Sequence, residues 1–470
     1  MASLFISAAH KSSGKTTVSI GLCAALAKRG LNVQPFKKGP DYIDPIWLGM
    51  AAGRPCYNLD FFTAGKQETL EDFTRRSRSA NISIIEGNKG LHDGLDLDGS
   101  NSNAALAKSL KSPVILAVDA RGTMRGIAPL LIGYQVFDSD VNIAGVIANM
   151  TGGSRHESKL RAAVEHYTDI PFLGALGKDS SISLDEQHIG LIPGYEDPDS
   201  EGKITNIADA VINHIDLDKI IEIAATAPEN PLLFSKPASV ANYSGLTIGV
   251  AQDPAFGFYY SGDLDAMRAT GAKIVSFNTL TDTELPPIDG LIIGGGFPER
   301  HASALQANTK LRDSIKTAIE HGLPTYAECG GLMYLSRKLS WQDKAYDMVG
   351  AIPGDTTMHE KSCGRGYVKL AENMETSPWP LGKDSKALIH AHEFHYSSID
   401  GLPENTQYAY TVKRGIGINQ QNDGLIYKNL LASYSHLRNT RSTPWVERFL
   451  SFVSETKAVN RYDKQLSAQY

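Results

Sequence analysis

Short apolar runs rich in Val, Ile and Ala recur through the first half of the chain: SLFISAA, NVQPF, ISIIEG, PVILAVDA, VNIAGVIANM and PFLGALG, with amphipathic stretches between them. Runs this short and this uniformly apolar are what strands buried on both faces require, and the stretches between them suit crossover helices, so the pattern predicts a parallel sheet. The rhythm breaks at AATAPENPLLFSKPASVANYSG, residues 224–245, where three prolines and many small polar residues predict a linker. A second series follows, with TIGVAQD, AKIVSF, IDGLIIGGG and TYAE, then GYVKLAE, ALIHAHEF and YAYTVKRG. Both halves therefore read as α/β, without a repeat of short period.

The 470 residues suffice for two or more domains, and 42% hydrophobic with 21% charged residues describes a globular chain. A net charge of -6 provides no broad basic face for nucleic acid. No apolar run approaches the roughly 20 residues of a membrane helix. The start, MASLFISAAHKSSGKTT, lacks the charged opening and small-residue cleavage site of a signal peptide. Cys23, Cys56, Cys329 and Cys363 form no CxxC pair, so neither a disulfide framework nor a zinc site is expected. A reducing cytoplasm is the expected compartment.

FISAAHKSSGKTTVSIGLCAAL reads as strand, small-residue loop and helix, and its SGKTT matches the end of GxxxxGK[ST], whose backbone N–H groups cradle phosphates. Ser13, Gly14, Lys15, Thr16 and Thr17 are the expected nucleotide contacts, with Lys15 reaching the outer phosphates and Thr16 a ligand of Mg²⁺; Ala9 stands at the motif's first glycine. Acids follow the next strands: Asp41 and Asp44 in KKGPDYIDP, Glu86 and Asp93 in IIEGNKGLHDG. Open α/β sheets bind ligands at such carboxyl ends, although Gly-Pro-Asp and His-Asp-Gly also form ordinary turns. Asp41 and Glu86 are the expected metal ligands beside Thr16; Tyr42, Asp44, Lys89, His92 and Asp93 are candidates for the substrate. Lys37 and Lys38 read equally as a solvated pair or as guides for an anionic substrate.

In TYAECGGLMYL, Cys329 ends a strand and turns at once into a helix, a bend whose free N–H groups favour thiolate. Gly294, Gly295 and Gly296 follow an earlier strand, where their N–H groups could form an oxyanion hole. Downstream lie His392 and His395 in AHEFHYS and His436 in LLASYSHLR, the candidates for the base. Thiol, glycine loop and late histidine come in the order of an amidase that captures glutamine as a thioester and releases ammonia.

The strings KKGPDYIDP, VAQDPAFGFYY, GGGFPERHA, YAECGGLMYL, AHEFHYS and ASYSH resemble the cobyrinic acid a,c-diamide synthase family over nearly the whole length. The resemblance implies an α/β protein with an N-terminal P-loop domain like dethiobiotin synthetase, residues 1–223, and the linker 224–245. A class I glutamine amidotransferase domain, 246–455, and a tail, 456–470, would follow. It also implies amidation of the a and c acetates of a tetrapyrrole with ATP, Mg²⁺ and glutamine, with Cys329 as nucleophile and His436 as its partner. Cobyrinate is the family default; siroheme or a metallated sirohydrochlorin is the alternative. A homodimer is allowed for.

Departures from the family pattern stand beside these strings. Class I amidotransferases commonly carry Glu two residues after the histidine, whereas Leu437 and Arg438 follow His436, so the acid that orients it is not legible. EGNKGLHDG replaces the usual EGVMGLYDG, and AAHKSSGKTT the usual APxSGxGKTT. A partitioning-type P-loop ATPase is the reading from another class, but its extra signature lysine would fall at His10, and it leaves the C-terminal half without a task. A stand-alone cysteine hydrolase would leave the P-loop idle.

Overall fold

The computed structural model describes residues 2–184, 186–187, 190–228, 241–380 and 387–467. The chain divides into two compact units, Met1–Phe61 with Gly65–Ser235, and Phe62–Ala64 with Lys236–Tyr470. Of the expected linker, 224–228 carry the end of a helix and a turn, 229–240 lie outside the described residues, and 241–245 lead into the next strand.

In the first unit strands and helices alternate: β1 (Ala2–Ala8), α1 (Lys15–Lys28), β2 (Val33–Lys38), α2 (Ile43–Ala52), β3 (Tyr57–Leu59), α3 (Gly65–Ser77), β4 (Ile82–Glu86) and α4 (Asn103–Leu110). Then come β5 (Val114–Asp119), α5 (Ile127–Phe137), β6 (Ile143–Thr151), α6 (Ser154–Tyr167), β7 (Phe172–Gly177), the short β8 (Glu186–Gln187) and β9 (Gly190–Leu191), α7 (Ser200–His214) and α8 (Leu217–Ala225). β1 to β7 form one parallel sheet in the order β3-β2-β4-β1-β5-β6-β7. Alternate side chains serve opposite faces: Leu4 and Ile6 pack with Val18 and Ile20 of α1, whereas Phe5 packs with Phe36, Ile85 and Leu106. This two-sided burial explains why the strands read mainly as apolar runs rather than as alternating ones. Gly21 lies inside α1 because a Cβ there would come within 2.4 Å of Val211, so the glycine admits α7.

The second unit contains β10 (Thr247–Ala251), α9 (Ser261–Ala269), β11 (Lys273–Phe277), β12 (Gly290–Ile293), α10 (Ala302–Ala307), α11 (Thr309–Glu320), β13 (Thr325–Glu328) and α12 (Gly330–Leu335). It continues with β14 (Lys338–Trp341), β15 (Lys344–Asp347), β16 (Asp355–Met358), β17 (Gly364–Glu372), β18 (Ile389–His395), β19 (Ser397–Asp400), β20 (Gln407–Arg414), β21 (Asn422–Tyr427), β22 (Leu430–Ser433) and α13 (Trp445–Ser467). Nine strands form its main sheet, β11-β10-β12-β13-β22-β21-β20-β17-β18, parallel from β11 to β22 and antiparallel beyond. A four-stranded sheet, β15-β14-β16-β19, stands apart from it. The segment expected as a tail after 455 continues α13 to Ser467, anchored upstream by buried Val446, Phe449, Leu450 and Val453.

Candidate active site

The thiol site grows from the adjacency of β13 and β22. Their parallel register pairs Glu328 with Ser433, so the residues that follow each strand emerge side by side at the carboxyl edge. Cys329 caps α12 with φ 46° and ψ -99°, a strained conformation for a residue with a Cβ and a common device for exposing a nucleophile at a bend. Its amide donates to Ser433 O at 2.7 Å, and its carbonyl accepts from Met333 N at 3.1 Å, so the bend is held from both sides. The two glycines after it are needed for space: a Cβ on Gly331 would sit 2.1 Å from Ile293 O, and one on Gly330 3.0 Å from Gly296 N.

The same argument places the glycine loop. A Cβ on Gly295 would come within 2.8 Å of His436 Cε1, and one on Gly296, at φ 157°, within 2.0 Å of Ala255 O. The loop thus lies against both the imidazole and the bend. Gly294 is different from the expectation: its N–H donates to Tyr259 Oη at 2.9 Å, which removes it as an oxyanion donor. Gly295 and Gly296 remain from the expected three, with Gly330 N–H on the facing bend.

His436 is in hydrogen-bond contact with Cys329 on one side and places Nδ1 3.1 Å from Glu328 Oε2 on the other. Glu328 is the orienting acid that the sequence did not disclose, and it sits immediately before the cysteine. Its Oε1 accepts from Leu437 N at 2.9 Å and from the Tyr326 hydroxyl, so the carboxylate is held in one orientation. Burial disfavours charge on His436, but the hydrogen bonds and charges of Cys329 and Glu328 outweigh it and raise the imidazole to about 10. The arrangement therefore favours imidazolium beside the thiol. Asp423 supports it: Oδ1 accepts from Tyr434 N and Oδ2 from Ser435 N, fixing the chain just before His436.

The other two histidines stand differently. His392 stacks on His436 with ring centroids 4.8 Å apart and meets Tyr260 Oη at 3.2 Å. Burial, with His436 and Arg438 nearby, holds it well below the usual imidazole range, so it is neutral. His395 lies flat on Tyr434 at 3.9 Å and directs Nδ1 to Ser397 O at 2.8 Å.

In the first unit, residues 9–14 join β1 to α1, with Ser12 at φ 63° and Gly14 at φ 79°. A side chain at Gly14 would meet Asn149 Nδ2 at 1.7 Å, and that amide donates to Ser13 O at 3.1 Å. Ser13 Oγ donates to His10 O at 2.9 Å, and the Tyr134 hydroxyl donates to Ala9 O, so the loop is tied at three points. Asn149 and Tyr134 carry no motif and were not among the expected contacts. Lys15 opens α1, buried, and burial with Lys37 nearby lowers its ammonium below the ordinary lysine range. Thr17 follows, half-buried.

Thr16 Oγ1 lies 2.8 Å from Glu86 Oε1 and 3.4 Å from Asp44 Oδ2. Lys37 places its ammonium among the acids, 2.9 Å from Glu86, 3.9 Å from Asp41 and bonded to Asp44. Geometry thus groups Asp44, expected to face the substrate, with Thr16 and Glu86, while Asp41 Oδ1 accepts the amides of Ile43 and Asp44 at the start of α2. Burial raises Glu86 to about 7 against the opposing charge of Lys37. Glu86 Oε2 is buried without a hydrogen-bond partner. A hydroxyl and two carboxylates, one with an orphaned oxygen, form the hard oxygen set that suits a divalent cation such as Mg²⁺. Among the described residues no group of three His, Cys, Asp or Glu is closed into a metal site, and Lys37 stands between these acids instead.

Of the other substrate candidates, Tyr42 caps α2, nearly buried. Asp93 Oδ2 accepts Gly90 N at 2.8 Å, a turn bond. His92 packs edge-on to Phe137 at 4.8 Å, and Lys89 is exposed at φ 47°.

A P-loop nucleotide-binding unit and a cysteine amidase unit on one chain define the class: a glutamine-dependent carbon–nitrogen ligase. Residues 5–191 match the CobQ/CobB/MinD/ParA nucleotide binding domain, and residues 247–443 the CobB/CobQ-like glutamine amidotransferase domain. The chain is 44% identical to a cobyrinate a,c-diamide synthase of Magnetococcus marinus, over 96% of this chain and 97% of that one. It is 42% identical to the enzyme of that name from Methanosarcina acetivorans, over 92% of each chain. The corresponding Archaeoglobus fulgidus protein is 39% identical, over 94% of this chain and 96% of its own length. The chain belongs to the cobyrinate a,c-diamide synthase family.

Proposed function

We propose that the protein converts the a and c acetates of a tetrapyrrole to amides, with ATP as the activating nucleotide, glutamine as the nitrogen donor, and cobyrinate as the default substrate. A carboxylate resists attack by an amine, so it is first phosphorylated: a carboxylate oxygen attacks the terminal phosphorus of ATP and ADP leaves. Lys15 and Lys37 are the cations suited to the charge that builds on the transferring phosphoryl group. Thr16, Asp44 and Glu86, with Asp41 beside them, would hold Mg²⁺, which supplies further neutralisation of phosphate charge when bound.

At the other site the Cys329 thiolate attacks the glutamine amide carbon. The developing oxyanion is met by N–H groups of Gly296 and Gly330, and His436 gives its proton to the leaving ammonia. Water then hydrolyses the thioester to glutamate. Ammonia attacks the acyl phosphate, the amide forms and phosphate departs. The observation that carries this reading is the Cys329–His436–Glu328 constellation on the same chain as a phosphate loop flanked by buried acids. Siroheme or a metallated sirohydrochlorin is the second reading, favoured by the exposed cation Lys89 on the loop after β4. Incubation of cobyrinate and siroheme with ATP, Mg²⁺ and glutamine, followed by mass spectrometry, tests both; absence of amide product from every tetrapyrrole would remove the proposal.

A further inference from the structure

Lys37 and Lys38 are consecutive on β2, so their side chains leave opposite faces of the sheet. Lys37 shares a face with α1 and the acid cluster. Lys38 points to the other face, that of Phe36 and Ile85, where it is 5% exposed. There its ammonium donates to Asn101 O at 2.8 Å and to Asn101 Oδ1 at 3.3 Å. An ammonium has three donors, so one remains, and among the described residues no carboxylate is in ion-pair contact with it. A buried cation without a counterion is costly unless an anion joins it. Burial, opposed by Asp60 through space and reinforced by Lys89 and Lys37, brings the ammonium down to about 8.

Lys89 is the second cation on this edge. It occupies the apex of the loop after β4 in the left-handed region, φ 47°. Buried Asn103 holds the loop on both sides of that apex: Oδ1 accepts Asn88 N at 3.1 Å, and Nδ2 donates to Asn88 O and, at 2.8 Å, to Gly90 O. The lysine is therefore presented by a braced turn rather than by a loose loop.

We propose that Lys38 and Lys89 form a carboxylate-binding seat that holds a side chain of the polycarboxylate substrate other than the one being activated, on the sheet face away from the phosphate loop. The inference rests on the proposed function, since it assumes a tetrapyrrole carrying several free carboxylates. A phosphate of the nucleotide is the other anion of suitable chemistry, but the loop that would cradle it opens α1, on the opposite face. Two cations, one at the end of β2 and one on the braced loop after β4, read substrates by how many free carboxylates they carry, because an ester or amide at that place loses both charge-assisted contacts.

The test uses the full chain with ATP and glutamine, and whichever of cobyrinate and siroheme the wild type amidates. Lys38→Met and Lys89→Met should each raise KM for that tetrapyrrole about tenfold, the loss of one charge-assisted contact, with kcat changed far less. Lys89→Arg should restore most of the KM, and ATP affinity, measured by calorimetry, should not move. Lys89→Met keeps the test open if Lys38→Met fails to fold, because Lys89 is exposed. Unchanged KM in the variants, with the tetrapyrrole still turned over, would overturn the seat while leaving the proposed function standing. Weakened ATP binding with unchanged KM would assign the cations to the nucleotide instead. If the wild type amidates no tetrapyrrole, the proposed function falls and the seat with it.

Discussion

Replacing Glu328 by glutamine probes the geometry that the thiol site depends on. The carboxylate accepts three hydrogen bonds, from Tyr326, Leu437 N and His436 Nδ1. A glutamine amide can satisfy them in neither orientation. With its oxygen toward His436, its NH2 faces the Leu437 N–H, and a buried donor is left without an acceptor. With its NH2 toward His436, Nδ1 must give up its proton, and Nε2 then carries one and cannot accept the thiol's. Either way the charge that favours imidazolium is lost. A hydrogen bond to a charged group contributes about 1.5–3 kcal/mol, and each 1.36 kcal/mol is a factor of ten in rate, so glutamine hydrolysis should fall roughly 10- to 150-fold. His436, raised to about 10 by Cys329 and Glu328, should drop, and the alkaline limb of the pH–rate profile should move to lower pH. Glutamate release measures both effects, and synthesis from added ammonia is the control, expected near the wild-type rate. Hydrolysis within about threefold of wild type, with an unmoved alkaline limb, would refute the role given to Glu328.

Two further expectations concern buried charge. Lys37→Met removes the cation among Asp41, Asp44 and Glu86; breaking a buried pair costs about 3–5 kcal/mol, which for a unit of this size lowers the thermal midpoint by roughly 10 °C. Mg²⁺ should recover part of the loss in calorimetry, and an unchanged midpoint without metal would contradict the pairing. Asp263, buried and bonded by Trp445 and Asn439, is raised from 3.8 to about 7 chiefly by burial. The folded state thus holds a proton that the unfolded chain has lost between those values, so this carboxyl favours folding less and less as pH rises from about 4 to about 7. Asp263→Asn should flatten that part of the stability curve in denaturant titrations; a parallel curve would show that Asp263 ionises normally.

The parallel strands of the first unit were legible because burial on both faces leaves uninterrupted apolar runs, and the phosphate loop because its residues are contiguous. The bend at Cys329 was legible for the same reason. Glu328 was in plain view beside it, yet its partner His436 follows β22, more than a hundred residues later, and a strand-end glutamate carries no local mark of that contact. His392 and His436 could not be separated by pattern either, since what distinguishes them is which ring faces the thiol and which is stacked and held neutral. Asp44 joins Thr16 and Glu86 where Asp41 was expected, because Asp41 Oδ1 is taken up by the amides of Ile43 and Asp44 at the start of α2, a contact the spacing alone does not show. The small sheet of β14, β15, β16 and β19 was missed, its short, half-exposed strands offering no sustained apolar run.

The central claim, that nitrogen released at Cys329 becomes the amide of a tetrapyrrole activated at the phosphate loop, is tested most directly with glutamine labelled in its side-chain amide nitrogen. The wild type, given ATP, Mg²⁺ and the tetrapyrrole, should place the label in the product amides. Cys329→Ala should place none there, yet should form unlabelled product when ammonia is added. Label reaching the product without the thiol, or loss of the ammonia-driven reaction together with it, would contradict the account.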